Sequence, residues 1–258
     1  MKNLATPLAI IMAASLAPAW TQGNIATDDI NIIGVIVAGG ESVYDDTGTS
    51  GTELYPLVYY RDGKFKITGK EATYDLAAYG NFSISALGDL RIAGYDANET
   101  GLVQGMEDRE NTAELGAQVA YTLGRFEVRA KTRFDVLGKH EGYDVALESS
   151  YEVQPWLGNF TRAYGGVAFR SEDLVNYYFG VGPDEVVVPT STSAGRPAYM
   201  PGEATVPYVG VLIGQALTEK VMIGVLGHYQ WLPNEISDSP IVDKNNEAAL
   251  LVMLGYVF

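Results

Sequence analysis

The chain has 258 residues, 47% of them hydrophobic and 19% charged, and a formal net charge of −15 at pH 7. This acidic balance excludes a nucleic-acid-binding role, because a basic face is what displaces counterions from phosphates. The lack of cysteine excludes disulfides and thiolate metal sites, and the lack of any apolar run near the ~18 residues of a membrane-spanning helix excludes a helical membrane protein.

The N-terminal residues predict a secretory signal peptide. Lys2 precedes an apolar stretch over residues 4–16, and the small-residue sequence Ala17-Pro18-Ala19 follows. We expect cleavage after Ala19, so that residues 1–19 are removed and residues 20–258 form a single exported domain.

Beyond this segment, the sequence is a series of short β-rich stretches separated by turn signals, with no amphipathic helix of convincing length. Twelve strands are predicted, near residues 30–38, 52–60, 64–70, 73–78, 81–88, 112–123, 125–136, 143–153, 160–170, 204–217, 220–231 and 248–258.

The connections between these strands alternate in length. Those after even-numbered strands are tight, at residues 61–63, 79–80, 123–124, 154–159 and 218–219. Most of those after odd-numbered strands are long, at residues 39–51, 89–111, 137–142, 171–203 and 232–247. Only the third-to-fourth connection, near Glu71, departs from the pattern. This alternation predicts an all-β, antiparallel up-and-down transmembrane barrel with short periplasmic turns and long extracellular loops, located in the outer membrane of a Gram-negative cell.

The seventh strand, RFEVRAKTRFDV at residues 125–136, has one charged face and one apolar face. In a barrel the apolar face meets lipid, and its predicted lipid-facing residues are Phe126, Val128, Phe134 and Val136. The charged faces then meet in the lumen, where cross-strand pairs offset the cost of burying charge. The predicted luminal charge network consists of Lys64, Lys66, Lys70, Glu114, Arg125, Arg129, Lys131, Arg133, Glu148 and Glu152. Glu114, Glu148 and Glu152 are the predicted partners of the basic residues of this strand.

The chain ends in LLVMLGYVF, an amphipathic strand with Tyr256 and Phe258 on one face. A last strand that ends in phenylalanine is similar to the signal by which the barrel-assembly machinery recognises outer-membrane barrels. The alternative is an ordinary buried strand at a chain end.

Neither catalysis nor metal or cofactor binding is expected. His140 and His228 are the only histidines, and no serine motif marks a nucleophile for them to activate. The long loops are acidic, but none has the calcium-binding spacing. We expect these loops to stay solvated, with outer-membrane lipid and lipopolysaccharide around them; the alternative is that they share divalent cations with lipopolysaccharide.

Several stretches resemble the MipA/OmpV family, outer-membrane proteins named for the MltA-interacting protein. They are YPLVYYRDGKFKITGK at 55–70, RFDVLGKHEGYDVALESSY at 133–151, NYYFGV at 176–181, PAYMPGEA at 197–204 and DSPIVDKNNEAALLVMLGYVF at 238–258. The resemblance implies an outer-membrane barrel, described for the best-known member as a scaffold that joins a murein-degrading lytic transglycosylase to a bifunctional murein synthase. It brings no catalytic motif.

Three functions therefore stand beside one another. A scaffold is expected to bind murein enzymes at its periplasmic rim, through residues 154–159 and the N-terminal segment 20–29. A narrow pore for small charged solutes is the alternative, if the basic residues of the predicted network line a constriction instead of pairing across the lumen as a plug. These residues, called the basic wall, are Lys64, Lys66, Lys70, Arg125, Arg129, Lys131 and Arg133. An outer-membrane hydrolase built on a histidine is the second alternative, and a secreted soluble β protein is a further rival.

Overall fold

A computed structural model describes residues 31–44, 50–98, 101–153, 160–191 and 195–258. The predicted signal peptide, the N-terminal segment 20–29 and the connection 154–159 lie outside this part of the chain. Among the described residues, no helix is long and apolar enough to cross a membrane.

Twelve antiparallel strands form one closed barrel in which each strand pairs with its neighbours in sequence and β1 pairs with β12. This confirms the predicted fold and strand number. The strands are β1 (Ile32–Glu41), β2 (Ser50–Asp62), β3 (Phe65–Thr68), β4 (Glu71–Tyr79), β5 (Phe82–Arg91), β6 (Thr112–Leu123), β7 (Phe126–Asp135), β8 (Tyr143–Val153), β9 (Phe160–Arg170), β10 (Ala204–Ala216), β11 (Val221–Trp231) and β12 (Asn246–Val257).

Three of the tight turns begin with glycine. Gly63, Gly80 and Gly124 have φ of +54°, +56° and +60°, a conformation that glycine adopts without the penalty of a Cβ. A glycine with positive φ at the first of two turn residues is what a type II′ hairpin requires. These glycines therefore fix the close spacing of strands at the rim where both ends of the barrel sequence lie.

The long connections at the opposite rim fold into a cap. It contains α1 (Glu172–Phe179), a 3₁₀ turn (Pro183–Glu185) and α2 (Asn234–Ser237). Ser171 caps α1 by accepting a hydrogen bond from the Leu174 N–H. The buried apolar residues of the cap are Val43, Tyr44, Ala93, Tyr95, Ala97, Val103, Met106, Leu174, Val175, Tyr178, Phe179, Val181, Leu232, Ile236, Ile241 and Val242, which pack with Ala204 and Val206 of β10. These loops leave β1, β5, β9 and β11, on different sides of the ring, so a core shared by all of them lies across the barrel mouth.

The barrel interior has an apolar part and a polar part. The apolar part is a cluster on β1, β2 and β9–β12: Ile32, Ile36, Ala38, Leu57, Tyr59, Phe160, Tyr164, Leu212, Met222, Leu226, Ala249, Leu251 and Met253. The outward face of the same strands is also apolar; for example, Leu250 is 55% exposed and Leu254 is 49% exposed. Apolar side chains on the outside of a closed barrel form the band that contacts lipid.

Candidate functional site: the luminal charge network

The polar part of the interior lies on β3–β9, where charged side chains alternate with the outward apolar ones. On β7 the inward basic residues are Arg129, Lys131 and Arg133, and each is paired. Lys131 Nζ lies 2.5 Å from a carboxylate oxygen of Glu71. Both groups are almost fully buried, so each charge has lost its hydration. The attraction between the two opposite charges offsets this desolvation cost.

The upper part of the network, below the cap, centres on Asp144. Arg133 lies 2.5 Å from the Asp144 carboxylate, and the guanidinium groups of Arg91 and Arg170 lie 3.9 Å from it. Arg91 also makes a bidentate bond to Glu114, at 2.7 and 3.1 Å. The carboxylates thus separate arginines that would otherwise repel one another in a medium of low dielectric.

The lower part of the network lies nearer the tight turns. Arg129 pairs with Glu127 and lies 4.0 Å from Glu148. Arg162 on β9 lies 2.9 Å from Glu152. The network therefore extends along most of the barrel height.

Two residues of the predicted network are placed elsewhere. Lys64 lies in the β2–β3 turn with an exposed side chain, so its assignment to the lumen is wrong. Strand β7 begins at Phe126, and Arg125 lies in the β6–β7 turn, where its side chain is half-buried. The sequence interpretation ends each turn at its glycine, whereas Gly63 and Gly124 are each the first of two turn residues. Lys66, on β3, is half-buried, and Lys70 lies in the turn that follows, 3.1 Å from Asp89.

The partners within the network also differ from those predicted. Arg129 near Glu148 follows the expected pairing, but Glu114 binds Arg91 and Glu152 binds Arg162. Members that sequence reasoning missed are Glu71, Asp89, Arg91, Glu127, Asp144, Arg162 and Arg170. Asp144 was detectable, because it has the same parity as Glu148 on β8.

The predicted lipid-facing residues lie on the outward side of β7 or just beyond it. Phe134 is 51% exposed and contacts the ring of Tyr143 on β8, with ring centroids 5.9 Å apart. Phe126 and Val136 are also exposed, and Val128 is half-buried. At the chain end, Tyr256 and Phe258 are both exposed.

Two tyrosines and a histidine form an aromatic group where the apolar and polar parts of the lumen meet. The hydroxyl of Tyr164 lies 2.8 Å from Nδ1 of His228, and the hydroxyl of Tyr208 donates to Glu148 at 3.2 Å. The His228 and Tyr208 rings stack with centroids 5.6 Å apart. Inward glycines on neighbouring strands leave room for the two tyrosine rings. A Cβ on Gly210 would lie 2.2 Å from Cζ of Tyr164.

His140 is held at both ring nitrogens. The Gly142 N–H donates to Nδ1 at 3.0 Å, which leaves the proton on Nε2, 3.1 Å from Glu114. In the described part of the chain neither histidine hydrogen-bonds a serine or threonine, and no group of three or more His, Asp or Glu could hold a metal ion.

One ion pair joins two loops of the cap. Arg109 makes a bidentate bond to Glu185 at 2.8 and 2.9 Å. Burial raises the pKa of the Glu185 carboxyl, but backbone N–H groups of Glu107 and Gly182 and the Arg109 guanidinium outweigh it and hold that pKa below its ordinary value. Arg196 donates to the backbone carbonyls of Leu102 and Glu185. These bonds tie the β5–β6 loop to the β9–β10 loop.

A closed antiparallel barrel with an apolar exterior, a charged interior and loops gathered at one rim defines a transmembrane β-barrel of the outer membrane. Residues 33–258 match the family described as MltA-interacting protein MipA. The chain therefore belongs to this family, as the sequence resemblance indicated.

Two of the similar relatives are named as outer membrane proteins. The chain is 25% identical over 228 residues to the putative outer membrane protein YiaT of Escherichia coli K12, covering 88% of this chain and 90% of that one. It is 27% identical over 164 residues to the outer membrane protein OmpV of Vibrio cholerae, covering 64% of this chain and 61% of that one. The MltA-interacting protein of E. coli K12 is 23% identical over 256 residues, or 97% of each chain. The protein is an outer-membrane barrel.

Proposed function

We propose that this barrel is a closed scaffold that binds murein-synthesising and murein-hydrolysing enzymes at its periplasmic rim. The observation that carries the proposal is the filled interior. Buried ion pairs occupy one part of the lumen, either between neighbouring strands, as for Arg133 and Asp144, or between strands further apart, as for Lys131 and Glu71. An apolar cluster occupies the other part, and the loop cap lies over the mouth. A barrel without an open channel acts through its surfaces.

The identity of the partners rests on a relative. The protein of E. coli that matches along 97% of its length is named for interacting with MltA. None of the matched names includes a catalytic activity, and His140 and His228 are occupied by Glu114 and Tyr164. Binding is therefore a better supported role than hydrolysis.

The binding surface belongs at the tight-turn rim, which is the periplasmic side of such barrels. The two-residue turns at Gly63, Gly80 and Gly124 offer little area compared with the ~800 Å² per partner of a standard interface. In the sequence, residues 154–159 between β8 and β9 and the segment 20–29 ahead of β1 are longer than these turns, so we assign most of the contact to them.

Pull-down from defined mixtures tests this assignment. The purified barrel is immobilised in detergent and offered the purified lytic transglycosylase and bifunctional murein synthase of its host. A variant in which a two-residue Asn-Gly turn replaces residues 154–159 should retain less of both enzymes. The matched control is Val188→Ser, which changes a residue that is 73% exposed on the opposite rim and should retain both. Failure of the native barrel to bind either enzyme, or equal losses in the two variants, would contradict the proposal.

Conductance tests the closed interior separately. In planar bilayers we expect no stepwise current from the native protein, because the paired charges and the cap occupy the route. Regular unitary steps would instead favour the narrow pore for small charged solutes, and selectivity for anions would assign them to the basic wall.

A further inference from the structure

The barrel closes through β3 and β4, but the β3–β4 hairpin ends below the top of β2, so the upper part of the wall between β2 and β5 lacks a strand. Strand β3 has only four residues, whereas β2 has 13 and β5 has 10. Consequently β2 pairs with β1 from Ser50 to Tyr59 but with β3 only from Tyr59 to Asp62. Among the described residues, no strand continues the wall above the β3–β4 turn at 69–70. We call this space, between residues 54–58 of β2 and residues 90–91 of β5, the notch.

The β2 edge of the notch ends its hydrogen bonding at a proline. The Gly69 N–H donates to the Val58 carbonyl at 2.8 Å, the last bond between β2 and the β3 side. Backbone groups that point to the same side recur every second residue, so the next N–H would come from residue 56. That residue is proline, which has no N–H to leave unpaired.

The opposite edge is completed by one lysine. The Leu90 N–H donates to the Lys70 carbonyl at 3.2 Å, and the Leu90 carbonyl accepts from Lys70 Nζ at 2.9 Å. Proline and lysine are the residues that natural sheets use to prevent an edge from pairing with another strand. Both edges of the notch are therefore protected against β-sheet pairing, and an added strand would find few backbone hydrogen-bond partners there.

The notch lies within the apolar band. Its two lips present Leu54, 74% exposed, and Leu90, 53% exposed, and Leu54 pairs with the outward Val37 of β1. It opens towards the long-loop rim, so it faces the outer leaflet. The occupant that fits apolar lips at this depth is the hydrocarbon chain of a lipid.

Apolar side chains continue behind the lips. Tyr55 and Leu57 are the inward residues of β2 at the notch, and both belong to the apolar cluster of the lumen or pack against it. Leu57 also lines a small apolar cleft together with Tyr59, Met222 and Met253. An acyl chain that enters between Leu54 and Leu90 would therefore contact apolar side chains on the luminal side as well.

We propose that the notch is a lateral opening that admits an acyl chain of an outer-leaflet lipid, whose end lies against Tyr55 and Leu57. This site is independent of the proposed scaffold role, since it lies in the wall and not at the periplasmic rim.

Site-specific photocrosslinking to lipid tests the proposal. The photoreactive amino acid benzoylphenylalanine replaces Tyr55, and the full chain is reconstituted in vesicles of phosphatidylethanolamine and phosphatidylglycerol. The matched control is Tyr208, also inward and half-buried but on a strand paired on both sides. The reference for full lipid contact is the outward Tyr151. Because hydrocarbon is otherwise kept outside a closed wall, we expect about tenfold more lipid adduct at position 55 than at position 208.

Narrowing the lips provides the second measurement. Leu54→Trp should lower the adduct yield at position 55 severalfold and leave the yield at position 151 unchanged. Folding of each variant is checked by its heat-dependent shift in gel mobility, and benzoylphenylalanine at Leu57 replaces the first site if the Tyr55 variant does not fold. A yield at position 55 or 57 no higher than at position 208, or a yield unaffected by Leu54→Trp, overturns the proposal.

Discussion

Arg91 and Glu114 form a bidentate ion pair at 2.7 and 3.1 Å, and their side chains are 3% and 0% exposed. The pair lies on neighbouring strands at the long-loop end of the lumen, and His140 from the β7–β8 loop adds a third contact to the same carboxylate. The barrel wall and a loop of the same rim are thus joined through one buried charge.

Neutralising this carboxylate should destabilise the barrel strongly. Glu114→Gln leaves the Arg91 charge without its main partner in a buried site, which costs about 3–5 kcal/mol of unfolding free energy. Urea-induced unfolding in phospholipid vesicles measures this loss. The control is Glu141→Gln, since Glu141 is exposed and should change the unfolding free energy by less than about 0.5 kcal/mol. Equal effects of the two substitutions would contradict the role of the pair.

The orientation of β7 follows from the sequence because two independent signals agree. Period-two alternation from Phe126 to Asp135 defines the two faces, and the alternation of loop lengths indicates a barrel, in which the apolar face points outwards. Neither signal depends on which residues of the neighbouring strands lie opposite, so the number of strands and the direction of their faces could be predicted from the sequence.

Most ion-pair partners depend on strand register and therefore could not be predicted from the sequence. Glu71 pairs with Lys131 although the two residues are 60 positions apart, and which side chains meet depends on how each strand is shifted against the next. The cap was missed for another reason. Its apolar residues, such as Val103 and Ile241, lie in loops without a helical or strand period, so nothing in the sequence pattern marked them as a core.

Gly210→Ala should disrupt the aromatic group of the lumen. The new methyl would lie 2.2 Å from Cζ of Tyr164, so the ring must leave its position and its contact with His228 at 2.8 Å. Such overpacking costs about 1–3 kcal/mol.

The matched control for that substitution is Gly227→Ala. Nothing lies within 4 Å of a Cβ built at Gly227, and this glycine is also on a paired strand. Urea unfolding should show a loss for Gly210→Ala alone, and a similar loss at Gly227 would mean that strand flexibility, not the tyrosine ring, explains the result.

The cap should loosen in acid. The pKa of Glu185 lies below its ordinary value of 4.5 in the folded protein, so this group stabilises the cap above that pH and the stabilisation is lost as the pH falls through the folded pKa. Its carboxylate accepts from the N–H groups of Glu107 and Gly182 at 3.0 and 2.8 Å. The protection of these two amides against hydrogen exchange, relative to the intrinsic rate at each pH, should therefore fall below about pH 4.5.

Glu185→Gln should remove this acid dependence and leave the two amides less protected at pH 7. The control is Asp184→Asn, a change at an adjacent exposed carboxylate, which should keep the acid dependence. Unchanged exchange in Glu185→Gln would show that the Arg109–Glu185 contact does not hold the cap.

A charge on the outward face of β7 should destabilise the barrel according to its depth in the membrane. Phe134→Lys places an ammonium group in the apolar band, at a cost of about 1–4 kcal/mol that is lowest near the interface. Phe134→Leu keeps the site apolar and should cost less. The unfolding free energy in vesicles distinguishes the two variants. If Phe134→Lys is as stable as Phe134→Leu, the side chain at position 134 does not contact lipid.

The terminal residue should matter for assembly more than for stability. Phe258 is 64% exposed, and its backbone N–H, which alanine also provides, donates to the Asn31 carbonyl. Phe258→Ala therefore removes little packing, and the purified variant should refold into vesicles with an unfolding free energy within about 0.5 kcal/mol of the native value.

Assembly in cells is the second measurement for this substitution. Because we expect the barrel-assembly machinery to recognise Phe258, the amount of folded Phe258→Ala protein in the outer membrane should fall severalfold. Leu217→Ala changes a side chain of similar exposure at the same rim and should leave both measurements unchanged. If the Phe258→Ala protein reaches the outer membrane at the native level, Phe258 is not an assembly signal.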